Sequence, residues 1–172
     1  GCPAFSVETA CSGFIYALGI ADKFVRLGDS RCALVIGAET LSRITDWKDR
    51  NTCVLFGDGA GAVILQAASE PGVISTHLHA DGFYKDLLTA NAGVSRGGAL
   101  MADRQLKILM KGNEVFKVAV TTLGNVVEET LERNNLDRHA IDWLVPHQAN
   151  MRIIQATARR LDMPMEKVVV TV

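Results

Sequence analysis

The chain has 172 residues, 48% of them hydrophobic and 22% charged, with a formal net charge of -1. That is enough for one globular core of ordinary α/β composition, and a charge so close to zero gives no field that would gather nucleic acid. No apolar run approaches the ~18 residues of a membrane span and no signal peptide is visible; the four dispersed cysteines (Cys2, Cys11, Cys32, Cys53), without a C-x-x-C pair, read as reduced thiols of a cytoplasmic protein.

In chain order, "GCPAFSVE" is extended and starts without Met. A helix then opens around Thr9 or Ala10, with Phe14, Ile15, Leu18, Ala21, Phe24 and Val25 at helical spacing and Gly28 placed to cap its C-terminus. Its first half is apolar nearly all round, which predicts a helix buried between layers. Residues 32–38, "CALVIGA", read as a short buried strand; "ETLSRITDWKDRNT" reads as a polar loop or broken helix, and "CVLFGDGAGAVILQAA" as a turn entering a strand. "GVISTHLHAD" is a further strand pattern, residues 71–72 form the best internal boundary, and "GGA" at 97–99 marks a mobile connection before "QLKILM". The longest helix runs from Gly112, with Asn113 as its cap and Glu114 favourable in the first turn. A strand "DWLVPH", a helix "NMRIIQATARRL" and a final strand "KVVVTV" complete the alternation, which predicts parallel sheets covered by helices. A chain that opens in one strand and closes in another reads as a piece of a longer protein.

Two residues carry candidate chemistry. Cys11 stands at a helix N-terminus, where unpaired N–H groups favour a thiolate; at ~0.3–1 kcal/mol, up to ~2, this would bring a thiol of pKa ~8.5 down by about one pH unit. Ser12 and Gly13 are small enough to let a carbonyl reach the Cys11 N–H as an oxyanion donor. Position alone leaves open a nucleophile or a small buried hydrophobe. His147, in "VPHQAN", lies between a strand and a helix, where α/β active sites gather; a satisfied turn histidine is the other reading. Cys32 and Cys53, inside strand patterns, read as structural.

Other patterns point to less. His77, His79 and Asp81 on one strand suggest a metal only weakly, since no fourth ligand is evident. "GDGAGA" at 57–62 resembles a phosphate loop, but a strand follows where that motif needs a helix, so a tight backbone turn is the better reading. Arg43, Lys48 and Arg50 form a basic loop suited to phosphates, and Lys117, Arg152, Arg159 and Arg160 suit an acidic partner or simply a solvated face.

Taken together, "SVETACSGFIYAL", "FGDGAGAVIL", "ISTHLHADG", "GNEVFKVAV" and "DWLVPHQANMRII" resemble the β-ketoacyl-(acyl carrier protein) synthase III family of initiating condensing enzymes, in order and through nearly the whole chain, least so at 94–103. The resemblance implies a thiolase-like α/β fold, αβαβα layers built from two similar halves, incomplete here: residues 1–70 would be the later part of the first half and 71–172 the earlier part of the second. It implies a homodimer and a decarboxylative Claisen condensation, in which Cys11 takes an acyl group from acetyl-CoA and malonyl-acyl carrier protein supplies the carbanion. His147 would stabilise the malonyl thioester oxygen. No metal or redox cofactor is implied, nor a membrane or nucleic-acid partner.

By the same resemblance Arg50, Asn113, Phe116, Ala149 and Asn150 would line the coenzyme A tunnel, and Leu41 and Phe56 its acyl end. Asn51 stands where Gly is expected. Lys117, Arg152, Arg159 and Arg160 would receive the acyl carrier protein, with arginines partly in place of lysines. A catalytic Asn and a second oxyanion donor are expected beyond residue 172, so the chain alone is expected not to condense substrates. A thiolase, an elongating synthase and a Cys/His hydrolase are the competing enzymes.

Overall fold

The computed structural model describes residues 1–70, 72–91, 93 and 106–172. The expected boundary residue Pro71, the connection at 97–99 and all of 94–103 lie outside the described residues. Two compact units are formed, one from Gly1–Glu39 with Gly59–His79 and one from Thr40–Asp58 with Ala80–Val172.

In the first unit the helical spacing produces α1, Gly13–Arg26. Its C-terminus is closed by Gly28, whose φ of 81° suits a residue without a Cβ and whose N–H donates to Val25 O at 3.1 Å. Asp22 is 8% exposed on this helix and is held by Lys23 Nζ at 2.9 Å and Arg26 Nε at 2.8 Å. β1 (Cys32–Thr40) and β2 (Asp58–Gln66) hydrogen-bond as a two-stranded sheet, and Phe14 of α1 lies against Gly37 of β1, where an added Cβ would touch its ring at 3.5 Å.

Two expectations fail in this unit. The first half of the helix is only partly enclosed: Gly19 is buried, Phe14, Tyr16, Ala17 and Leu18 are half-buried, and Ile15 is 46% exposed. Nor is 73–80 a strand, since no described strand pairs with it. It runs antiparallel along α1 instead: Tyr16 OH donates to His79 O at 3.1 Å, Gly19 faces Thr76, and Arg26 donates to Val73 O. The side-chain alternation is present, but a strand needs a neighbouring backbone to bond to.

In the second unit β3 (Leu88–Ala90) pairs antiparallel with β4 (Ile108–Met110), in register Leu88↔Met110, Thr89↔Leu109, Ala90↔Ile108. This pair departs from the all-parallel expectation, and β3 has no strand pattern long enough to announce it. The long α2 (Gly112–Asn134) ends on Asn135 in the left-handed conformation, φ 53°. Its N-cap is Lys111 and not the expected Asn113, which lies inside the first turn with Glu114.

α3 (Met151–Arg160) buries Ile153, Ile154, Thr157 and Ala158 along one face, and Leu161 continues it. Ile154, Ala158 and Val168 form a buried cluster, with Leu144, Met163 and Val170 packed round it. The strands expected at "DWLVPH" and "KVVVTV" shrink to one parallel bridge, Leu144↔Val168. Leu144 N donates to Lys167 O and Val169 N to Leu144 O, both at 2.9 Å. The ladder stops there because Pro146, the next residue whose N–H would point across, has none.

Candidate active site

Cys11 belongs to the first unit. It sits in a single 3-10 turn, Ala10–Ser12, that runs into α1 at Gly13. The turn is tied by Ser12, whose N and Oγ both donate to Thr9 O at 3.3 and 2.9 Å. Its backbone is strained, since Ala10 has φ 48°, a left-handed value that costs an L-residue with a Cβ about 1–2 kcal/mol. Thr9 Oγ1 is buried with no hydrogen-bond partner among the described residues.

The expected lowering of the thiol pKa does not occur. Burial, the largest influence, pushes the Cys11 thiol up; its own backbone N–H works the other way, and the Glu39 carboxylate adds to the rise. Cys11 is exposed as a residue, yet protein crowds its sulfur enough to disfavour the charged form. The α-helical amides begin two residues beyond it, and one 3-10 turn does not offset the lost hydration. Cys2 and Cys32 are exposed and Cys53, half-buried, lies in a turn and not in a strand.

His147 belongs to the second unit, at the approach to α3. Burial lowers its pKa, so the imidazole is neutral at physiological pH. The turn around it is heavily bonded. Asn150 caps α3, its Oδ1 accepting from Arg152 N at 2.8 Å. Gln148 Nε2 donates to Pro146 O at 2.9 Å and Val169 O at 3.0 Å, and its Oε1 accepts from Thr171 N at 2.8 Å.

The remaining expected site residues also lie in this unit. Leu41 and Phe56 are half-buried and flank a bonded loop in which Asp58 accepts from Ser42 N at 2.8 Å and Thr45 Oγ1 donates to Leu41 O at 2.8 Å. Arg50 and Asn113 are exposed; Ala149 is half-buried beside His147. Phe116 and Arg152 meet across α2 and α3, the guanidinium carbon 5.4 Å from the ring centroid. Lys117 lines a cavity of about 310 Å³ with Phe83, Tyr84, Leu87, Glu114 and Val118.

Arg159 is exposed, but Arg160 is committed to α2: its guanidinium donates to Thr121 O at 3.1 Å and Asn125 Oδ1 at 2.6 Å. It also lies over Gly124, where an added Cβ would come within 2.4 Å of its side chain. Sequence reasoning missed the roles of Gln148 and Arg160, because bonds from a side chain to a distant backbone leave no periodic trace. The one signal was a proline inside a strand pattern with an amide side chain two residues on.

The other patterns resolve locally. His77 Nε2 lies 3.0 Å from Ser75 Oγ, and Asp81 accepts from Phe83 N at 2.9 Å. Among the described residues no group of three His, Cys, Asp or Glu side chains converges as metal ligands would. "GDGAGA" is no tight turn: apart from Gly57 it lies within β2, with the turns just before it, and no helix follows as a phosphate loop requires. Among the described residues no helix is long and apolar enough to cross a membrane.

Comparison with known proteins finds relatives that align over the whole chain. The family profile described as 3-Oxoacyl-[acyl-carrier-protein (ACP)] synthase III matches residues 5–82, and that of its C-terminal region matches 131–172. Beta-ketoacyl-[acyl-carrier-protein] synthase III of Thioalkalivibrio sulfidiphilus is 63% identical over 172 residues, which is 100% of this chain and 53% of that protein. The crystal structure of 3-oxoacyl-[acyl-carrier-protein] synthase III from Aquifex aeolicus aligns with a TM-score of 0.89 at 45% identity, over 99% of this chain and 52% of that one. The corresponding Pseudomonas aeruginosa structure gives 0.87 at 38% identity, over 98% and 51%. The chain thus spans about half the length of the relatives it matches and has the thiolase-like α/β fold in part. It belongs to the 3-oxoacyl-[acyl-carrier-protein] synthase III family.

Proposed function

We propose that this chain carries the acyl-accepting cysteine and the decarboxylation histidine of an initiating β-ketoacyl-acyl carrier protein synthase. Cys11 Sγ attacks the thioester carbonyl of acetyl-CoA; coenzyme A leaves as its thiol, taking the cysteine proton, and the acyl group stays on sulfur. Malonyl-acyl carrier protein then loses CO2, and the electron pair of the broken bond becomes an enolate on the remaining thioester. That carbanion equivalent attacks the acyl-Cys11 carbonyl, a carbon–carbon bond forms, and the bond to Cys11 Sγ breaks to release 3-oxoacyl-acyl carrier protein, the sulfur keeping the electron pair and taking a proton from solvent to restore the thiol. A neutral His147 keeps one N–H to donate to the thioester oxygen as charge develops there, and the Cys11 N–H serves the other oxyanion. Decarboxylation supplies the electron pair, so the chemistry draws on no metal or redox cofactor.

Arg50, Asn113, Phe116, Ala149 and Asn150 line the coenzyme A and pantetheine path in this reading, with Leu41 and Phe56 at the acyl end. Lys117, Arg152 and Arg159 receive the acidic carrier protein; Arg160, already bonded to α2, contributes less. The complete enzyme acts as a cytoplasmic homodimer.

The observation that carries this reading is a thiol at the entry to α1 and a neutral imidazole at the entry to α3, on a chain 63% identical to a β-ketoacyl synthase III. The test joins this chain to the flanking segments of the Thioalkalivibrio sulfidiphilus relative and supplies acetyl-CoA and malonyl-acyl carrier protein. The expected products are CO2 and 3-oxobutyryl-acyl carrier protein, with none from the 172-residue chain alone. Free acetate without a new carbon–carbon bond would mean a Cys/His hydrolase, and acetoacetyl-CoA made without malonyl groups would mean a thiolase.

A further inference from the structure

The parallel pairing of Leu144 with Val168 dictates the next pair of bonds. After Leu144 N to Lys167 O and Val169 N to Leu144 O, a parallel ladder continues with residue 146 N to Val169 O and Thr171 N to residue 146 O. Pro146 cannot make the first of these. Both positions are nevertheless satisfied, by one side chain. Gln148 Nε2 supplies the donor to Val169 O at 3.0 Å, and Gln148 Oε1 accepts from Thr171 N at 2.8 Å. The displaced acceptor, Pro146 O, is taken up by Gln148 Nε2 at 2.9 Å. A primary amide has the donor and acceptor of a peptide group, and here it stands in for the peptide that proline interrupts.

We propose that Gln148 is a positioning residue for His147: its amide replaces the missing rung of the ladder, which lets the backbone leave the strand at Pro146 while the turn bearing His147 stays tied to 169–171. His147, exposed as a residue, stands in sequence between the two residues of this device, with Pro146 fixing φ on one side and Gln148 bonded across on the other. Asn150 fixes the far end of the turn by capping α3. The backbone that carries the imidazole is therefore held by the Gln148 bonds. This inference rests on the role given to His147 above, and its test separates the two.

In the 172-residue chain, Gln148→Leu keeps much of the bulk and removes both bonding functions, while Gln148→Glu keeps the acceptor for Thr171 N–H and removes the donor to Val169 O. Amide hydrogen exchange and histidine NMR titration are read on each, alongside helix content as a check of folding. Gln148→Leu is expected to speed exchange of the Thr171 amide by at least about tenfold and to move the His147 titration towards the free-histidine value. Gln148→Glu is expected to leave Thr171 protected and still move His147. Adding Pro146→Ala to Gln148→Leu returns a backbone N–H facing Val169 O and is expected to restore part of the Thr171 protection.

In the completed enzyme, Gln148→Leu should lower kcat for condensation by about ten- to a hundredfold, with KM for acetyl-CoA and acylation of Cys11 nearly unchanged. An unmoved Thr171 exchange rate and His147 titration in Gln148→Leu, or no restoration by Pro146→Ala, would overturn the proposal. If His147→Ala left condensation intact while these NMR effects appeared, the role of His147 would fall and the ladder replacement would stand.

Discussion

The two loop-to-helix junctions to which the proposed chemistry is assigned are built in opposite ways. At the entry to α1, Cys11 sits in a 3-10 turn with a left-handed Ala10, no side-chain cap at Thr9, and a buried Thr9 hydroxyl without a partner among the described residues. At the entry to α3, Asn150 caps the helix and Gln148 closes a broken ladder, so His147 is framed by satisfied bonds. Strain tends to collect where a group must be presented to a substrate, and bonding where a group must be held still. A nucleophile that gains and loses an acyl group fits the first design; a hydrogen-bond donor aimed at developing charge fits the second.

The contrast can be broken most severely at the histidine. His147→Ala in the completed enzyme should reduce condensation by about 10²–10³-fold while acylation of Cys11 persists, as quantified by product formation and by acyl-enzyme mass. Equal loss of both steps would erase the division of labour between the junctions. Next in size is the cap: Asn150→Ala should destabilise the chain by about 1 kcal/mol in urea unfolding. The strained side should answer with the other sign, since Ala10→Gly relieves the left-handed backbone and should be neutral to stabilising by up to about 1 kcal/mol in the same assay. If Ala10→Gly were as damaging as Asn150→Ala, the turn at Cys11 would not be strained.

The smallest effects come from titration. The folded pKa of His147 lies below its unfolded value, so the unfolded chain binds more protons across that interval. Stability should therefore fall as pH drops through about 6.5 and level off below the folded pKa. The Cys11 thiol, with its pKa raised, should be alkylated by iodoacetamide with a midpoint above the ordinary ~8.5 of a free thiol. Stability tied to that thiol is lost only as pH climbs above the ordinary value. A Cys11 midpoint below about 8 would restore the helix-end thiolate that the sequence suggests.

The three helices were legible because each has an apolar face at helical spacing, and the Gly28 terminus because a left-handed position selects glycine. The strands at 73–80, "DWLVPH" and "KVVVTV" read too strongly, since alternation describes a residue's faces and not whether a neighbour bonds to it. Cys11 and His147 were singled out by the motifs around them, and each lies just before a helix as those motifs suggest. The ionisation of Cys11 was not: it depends on how closely the chain crowds one sulfur and on Glu39, 28 residues away in sequence. Gln148 and Arg160 escaped for a related reason, as each binds backbone more than twenty residues away in sequence.

The central claim is that Cys11 Sγ is the nucleophile that accepts the first acyl group. It is tested most directly by exposing the completed enzyme to isotopically labelled acetyl-CoA, without malonyl-acyl carrier protein, and mapping the label by peptide mass spectrometry. The account predicts one acetyl group per chain, on the peptide containing Cys11 and removable by hydroxylamine as a thioester. Label on Cys2, Cys32 or Cys53, or no stable label in a protein that still condenses, would contradict it.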